Sequence, residues 1–311
     1  MSDTKRIAKA AIAFLAGVFA VFINPGLVDA TVNKFLMGMT NKGQAPMGAV
    51  PAVRLFVSFT WRGVEVMAGI ALILAAYGFL KNKKWAFPVA LVSLATMPIG
   101  SFYTSSFAGY MVRKHAYAPS FTAFIVGLLA FWALIVLEKR GKEMWAMMIP
   151  LTLLGMIGTQ AFAFSEHGLR GIFQAGGFQA GLTASIKDPS IGILRYSGPI
   201  MAMVLLTLFV AIYFIAAGKE KGWWLAMAAG LGMAVAAIPV HFARPKASFS
   251  LAGSKAFAAG QAVKGAAAPS IFTSVYFLGG MLGVLLVIVL LVPFFREYLA
   301  SSTLQDDASH G

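Results

Sequence analysis

Residues 55–85 read LFVSFTWRGVEVMAGIALILAAYGFLKNKKW. The stretch is apolar almost throughout and stops at a basic turn, KNKK. As a helix rising 1.5 Å per residue, positions 55–80 reach about 39 Å, enough to cross about 30 Å of hydrocarbon. A barrel strand would alternate polar and apolar residues, and this run does not. Two charges interrupt it, Arg62 and Glu65. They stand three apart, so they share a helix face. Either charge alone at that depth would be costly, and together they partly neutralise each other.

The same pattern recurs along the chain. Apolar runs of spanning length fall at 7–27, 55–80, 85–107, 121–137, 144–164, 197–217, 223–240 and 271–295. In lipid the backbone must satisfy itself, which leaves helices for runs of this kind. Composition agrees: 59% of residues are hydrophobic and 12% charged, against about a quarter charged in a soluble domain. The expectation is an all-α polytopic membrane protein, a single integral domain over 1–311. Its eight transmembrane helices form four hairpins. The basic, apolar N-terminus runs straight into FINPGLVD and reads as a retained first helix, not a cleaved signal.

Three connections are short and basic: KNKK at 81–84, EKRGKE at 138–143 and GKEKG at 218–222. Cations are densest on their side, and charge close to helix ends sets orientation. Both termini are therefore expected in the cytoplasm, with the chain in the inner, cytoplasmic membrane. The outer loops are then 28–54, 108–120, 165–196 and 241–270. The last carries Arg244, Lys246, Lys255 and Lys264, no acid, and interleaved Phe. It reads either as a dock for an acidic extracytoplasmic subunit or as a segment lying among anionic lipid headgroups. Nucleic acid is not an expected partner there. Two loops share a pattern, GQAPMGAVPA at 43–52 and GQAVKGAAAP at 260–269, which is either an internal repeat or chance in an Ala/Gly-rich chain.

Candidate chemistry is sparse. Glu65 reads as the one acid inside a span. It is the candidate for moving a proton or bonding a quinone, with Arg62 orienting it; the alternative is a structural pair that pins the helix. His115, His167 and His241 fall at the outer ends of three spans. Two such imidazoles, with His167 and His241 foremost, suit haem b iron; interfacial histidine is the plain alternative. Met67 and Met201 are possible axial ligands, or packing. With no cysteine, the chain holds no iron–sulfur cluster of its own. Nucleotide loops, zinc-protease motifs and triad spacings are absent from the sequence.

SFTWRGVEVMAGIALILAAYGFLKNKKW resembles the segment of cytochrome bd oxidase subunit I in which an Arg- and Met-bearing stretch begins a long helix before a short basic turn. LRYSGPIMAMVLLTLFVAIYFIAAGKEKGWW has the same shape. The likeness covers 55–137 and 195–295 and suggests two related four-helix halves. It implies that Met67 and Met201 match the family's axial Met, and that ARPKASF (243–249) echoes its quinol-side motif. The family's haem-ligating His in its first helix and its buried acidic pair have no counterpart here. What the resemblance implies is therefore a haem- or quinone-handling subunit, not an oxidase. The expected function is a membrane subunit of a respiratory complex, handling quinone or haem b near the outer leaflet. The alternatives are a cofactor-free scaffold or a secondary transporter using Glu65.

Overall fold

The computed structural model describes residues 3–40, 49–112, 118–174, 189–243 and 274–300. Among them every regular element is helical: α1 (Asp3–Val18), a π-helical turn (Phe19–Ile23), α2 (Asn24–Thr40), α3 (Ala49–Leu80), α4 (Ala86–Val112), α5 (Phe121–Glu138), α6 (Gly141–Gln174), α7 (Pro189–Ala216), α8 (Glu220–Ala243), α9 (Val275–Leu291) and α10 (Pro293–Ala300). Seven helical stretches are long and apolar enough to cross a membrane, with Asp3–Gly38 counted as one. α9 has 17 residues and bends by 78° into α10. The outward surface is rich in large apolar side chains such as Phe22, Phe56, Leu129 and Val235. Such a surface suits hydrocarbon better than water.

Packing divides the molecule into two rings of four. In the first, α1 packs on α3, α3 on α4, α4 on α5, and α5 back on α1. In the second, α6, α7, α8 and α9 close the same circuit. The rings meet where α3 and α4 lie against α6, and α4 against α7. Lys9 of α1 is buried and bonds Glu138 of α5, with its ammonium over the Phe79 ring. A charge so placed needs that partner, and the pair fastens the first ring at one end.

The two rings share a register. The turn after α3 bonds Lys81 N–H to Tyr77 O, Asn82 N–H to Phe79 O and Lys83 N–H to Gly78 O. The turn after α7 bonds Ala217 to Tyr213, Gly218 to Ile215 and Lys219 to Phe214 in the same way. Asn82 and Gly218, with φ of 52° and 66°, occupy the same left-handed position, which Gly and Asn take at least cost. Counting back from these turns, buried Glu65, Ala68, Leu72, Ala75 and Phe79 align with buried Met201, Val204, Leu208, Ala211 and Ile215. In the first helix of each ring, Ala10, Ala13, Ala16 and Ala20 align with Leu151, Leu154, Ile157 and Ala161.

Several sequence expectations change. The segment 28–54 is not simply a loop: α2 continues to Thr40, and α3 begins at Ala49. α6 likewise runs to Gln174, through the start of the expected loop 165–196. The shared turns also correct the repeat register. Met67 matches Met203, both outward-facing, while Met201 stands opposite Glu65. The expected motifs at 43–52 and 260–269, ARPKASF and the basic segment beyond Ala243 lie wholly or mostly outside the described residues.

Candidate functional site

Polar side chains gather on the inner faces of α2, α3, α4 and α6. Arg54 and Glu65 are 11 residues apart on α3, three turns, and so point nearly the same way. Both are buried. Arg62 lies off that face. It is partly exposed and pairs with Asp29 of α2 at 2.5 Å. The expected Arg62–Glu65 pair is therefore replaced: three residues along a helix leave about 60° between side chains, enough for one to face in and the other out.

Glu65 is met by neutral groups. Asn24 Nδ2 donates to its Oε2 at 2.7 Å, and Ser101 Oγ donates to its Oε1 at 3.1 Å. The π turn places Asn24. Asn24 N–H reaches back to Phe19 O, a five-residue step. Pro25 follows and has no N–H to continue the ladder. The extra residue of such a turn re-aims the helix beyond it, and Asn24 faces α3. Asn24 Oδ1 is buried with no hydrogen-bond partner among the described residues.

A second buried acid, Glu166 on α6, corrects the expectation that Glu65 is the sole one. Tyr103 OH donates to Glu166 Oε2 at 2.7 Å. Arg54 Nε lies 3.5 Å from Glu166 Oε1, and the guanidinium sits over the Phe35 ring at 5.6 Å. Arg54 and Tyr103 belong to the first ring and Glu166 to the second, so this cluster bridges the two. His167 Nε2 is 3.8 Å from Glu166 Oε2, and its Nδ1 is 3.0 Å from Tyr276 OH. The two acids thus differ in kind: Glu166 has a cation beside it, whereas Glu65 has an amide and a hydroxyl.

A narrow cleft adjoins the cluster, lined by Thr31, Val32, Phe35, Arg54, Leu55, Ser58, Tyr103 and Thr104. Its free space is about 20 Å³, room for about one water. Behind it, Trp61 Nε1 donates to Thr96 O at 3.2 Å, and the Trp61 ring packs on Phe162. A larger, mostly apolar cleft of about 250 Å³ lies between α4, α5 and α6, around Pro98, Leu128, Trp132 and Met156.

The expected haem ligands are partly brought together. His167 contacts Tyr276 and His241 contacts Phe277, neighbouring residues at the start of α9. His241 is buried, and its Nδ1 has no hydrogen-bond partner among the described residues. His115 lies outside the described residues. Met201 is buried. Met67 is 64% exposed on the outer surface of α3. Among the described residues, no group of three or more His, Asp or Glu is arranged to hold a metal ion.

Compared with protein-family models, curated proteins and solved structures, the chain matches none.

Proposed function

We propose that the chain is a membrane-integral subunit of an electron-transfer complex, and that it handles quinone at the Arg54–Tyr103–Glu166 cluster. The observation that supports this most is the cluster itself: a guanidinium and a phenol, held by one buried carboxylate, beside a cleft on the apolar α2–α3 side. Quinone oxygens need hydrogen-bond donors in an apolar setting, and Arg54 and Tyr103 are such donors. Glu166 holds both in place. The head group enters by widening the gap between α2 and α3. In this reading the chain spans the membrane eight times as four hairpins, with α9 as the eighth span and both termini cytoplasmic. The basic segment 241–270 docks an acidic extracytoplasmic subunit, and lipid covers the rest. Should haem b also be held, His241 is the residue with a ring nitrogen to offer, and His167 contacts the adjacent residue of α9.

The test is binding of a short-chain quinone, decylubiquinone, to the purified chain in nanodiscs, read by quenching of tryptophan fluorescence. Saturable quenching in the native chain, lost in Arg54→Leu and Tyr103→Phe variants that remain folded, is the expected result. No saturable binding by the folded native chain would end the quinone reading. Reduced-minus-oxidised visible spectra of the same sample test for haem.

One observation favours a second reading, a proton-coupled secondary transporter. The Arg54–Glu166 pair lies between two rings that share a packing circuit, where repeat-built transporters place their sites. Proton uptake into proteoliposomes driven by a candidate solute gradient, without any chromophore, would select it.

A further inference from the structure

Where the rings meet, α5 and α6 stand apart. Gly127 lets α5 close onto α4: a Cβ there would meet Met97 Cβ and Pro98 Cδ at 2.8 Å. Gly158 does the same for α6, where a Cβ would lie 2.7 Å from Ile99 Cδ1 of α4. Between themselves α5 and α6 touch only lightly. The gap they leave is the cleft of about 250 Å³ between α4, α5 and α6. Gly155 forms part of its wall, and a Cβ there would meet nothing within 4 Å. The shared register places Phe14 at the matching position of α1, so the missing side chain belongs to this seam and not to the common plan.

The walls decide what the cleft can hold. Leu128, Phe131, Leu151 and Met156 are apolar. Its two hydroxyls are engaged: Trp132 Nε1 donates to Thr152 Oγ1 at 3.0 Å, and Thr159 Oγ1 donates to Gly155 O at 3.2 Å. A buried water needs two to four polar partners, whereas an apolar cavity of about 150 Å³ stays dry and takes up benzene. Left empty, a space of this size forfeits dispersion contacts over its whole lining. Hydrocarbon is the filler these walls suit, and hydrocarbon surrounds helices of this length and apolarity.

At one end of the seam lies the turn 138–143. Each of its acids has a lysine: Glu138 pairs with Lys9, and Glu143 with Lys139 at 3.2 Å. Arg140 and Lys142 are exposed, with no carboxylate paired to them among the described residues. Basic groups between helices at the membrane surface are where anionic head groups bind. Depth matches as well. At 1.5 Å per residue, Trp132 lies about 9 Å from Glu138, and Gly155 about 21 Å from Gly141. One lipid leaflet, head group included, is about 20 Å deep. A phosphate at the turn therefore sends its tail along the α5–α6 seam and ends it in the cleft.

We propose that the α5–α6 seam binds an anionic phospholipid, with its phosphate on Arg140 and Lys142 and one acyl chain in the cleft against Gly155. The site is separate from the cleft between α2, α3 and α4, and it does not rest on the quinone reading. The lipid fills the space between the first ring and the second, beside the turn that joins them.

Photolabelling of the full chain in phosphatidylcholine vesicles tests this. The probe is a trace of phosphatidylglycerol carrying a diazirine on its acyl chain, and labelled peptides are mapped by mass spectrometry. The label is expected to concentrate on 124–132 and 151–159, which wall the cleft. Added phosphatidylglycerol should displace it, and an equal addition of phosphatidylcholine should not. Arg140→Ala with Lys142→Ala should lower it by about tenfold or more, the effect of two cations at a membrane surface. Gly155→Phe, which fills the cleft, should abolish it. Gly63→Phe, on the exposed face of α3 where a Cβ also meets nothing within 4 Å, should leave it unchanged. The head-group variant alters only exposed side chains, so it decides the matter even if Gly155→Phe fails to fold. Label spread evenly over the outward surface would overturn the proposal. So would equal displacement by phosphatidylcholine, or label that survives either change at the site. Displacement by decylubiquinone and not by phosphatidylglycerol would give the cleft to a quinone and overturn the lipid assignment.

Discussion

The two rings are built to one plan and filled differently. The second is sealed: α6 and α7 cross where Gly168 meets Gly198, so closely that an added Cβ on either would strike the other backbone. The aligned positions in the first ring are Val28 and Arg62. Both carry side chains, and the cleft lies further along the same two helices, at Thr31, Val32 and Phe35 of α2 and Arg54, Leu55 and Ser58 of α3. The second ring has Met201, Ala237 and Phe164 at its centre; the first has Glu65, Ser101 and Asn24. One ring supplies a rigid wall carrying Glu166, and the other supplies polar chemistry and room.

That contrast can be broken most severely at the seam. Arg54→Leu leaves Glu166 buried without its cation and should cost about 3–5 kcal/mol, whereas Arg54→Leu with Glu166→Leu should recover most of it. Reversible unfolding by sodium dodecyl sulfate in mixed micelles measures both. If the double variant is as unstable as the single one, the pair is not what joins the rings.

Next comes the sealed crossing. Gly168→Ala forces two backbones apart and should cost about 1–3 kcal/mol. Val28→Ala, at the matched place in the first ring, should cost less in the same assay. Equal costs would mean that the rings are closed alike.

A smaller effect is expected from giving the first ring the second ring's content. Glu65→Met with Asn24→Leu replaces a buried polar pair by apolar groups of similar volume. Stability should be unchanged or higher, since such exchanges are often neutral or stabilising. A loss above about 1.5 kcal/mol, beyond what volume-conserving swaps usually cost, would make the polar trio structural.

The smallest effect belongs to the surface. Arg62→Ala breaks a partly exposed pair with Asp29 and should change stability by no more than about 1 kcal/mol. A large effect would restore the role that sequence spacing gives Arg62.

The helices themselves were legible because hydrocarbon thickness imposes their length: the apolar runs coincide with the cores of the helices found. The site was legible only at Glu65. Arg54 and Glu166 fall in stretches that look like loops, because a hydropathy window ends where polarity rises, and these helices continue past that point with one face still buried. An 11-residue spacing was the available sign for Arg54, since it returns to the face of Glu65 where the spacing of Arg62 does not. Asn24 stood beside Pro25 in plain view, but only the π turn, a backbone event, aims it at Glu65. His167 was legible by type and depth; its bond to Tyr276 joins positions far apart in the chain and leaves no local trace.

The joint between the rings is only the short segment from Glu138 to Gly141, with Gly141 at φ 54°. Each ring closes its own circuit of contacts on either side of it. A chain opened at Arg140 and produced as two polypeptides in one cell should therefore reassemble, giving up the tether and keeping the contacts. Each piece could then carry its own isotope label, so that the carboxyl signals of Glu65 and Glu166 are told apart.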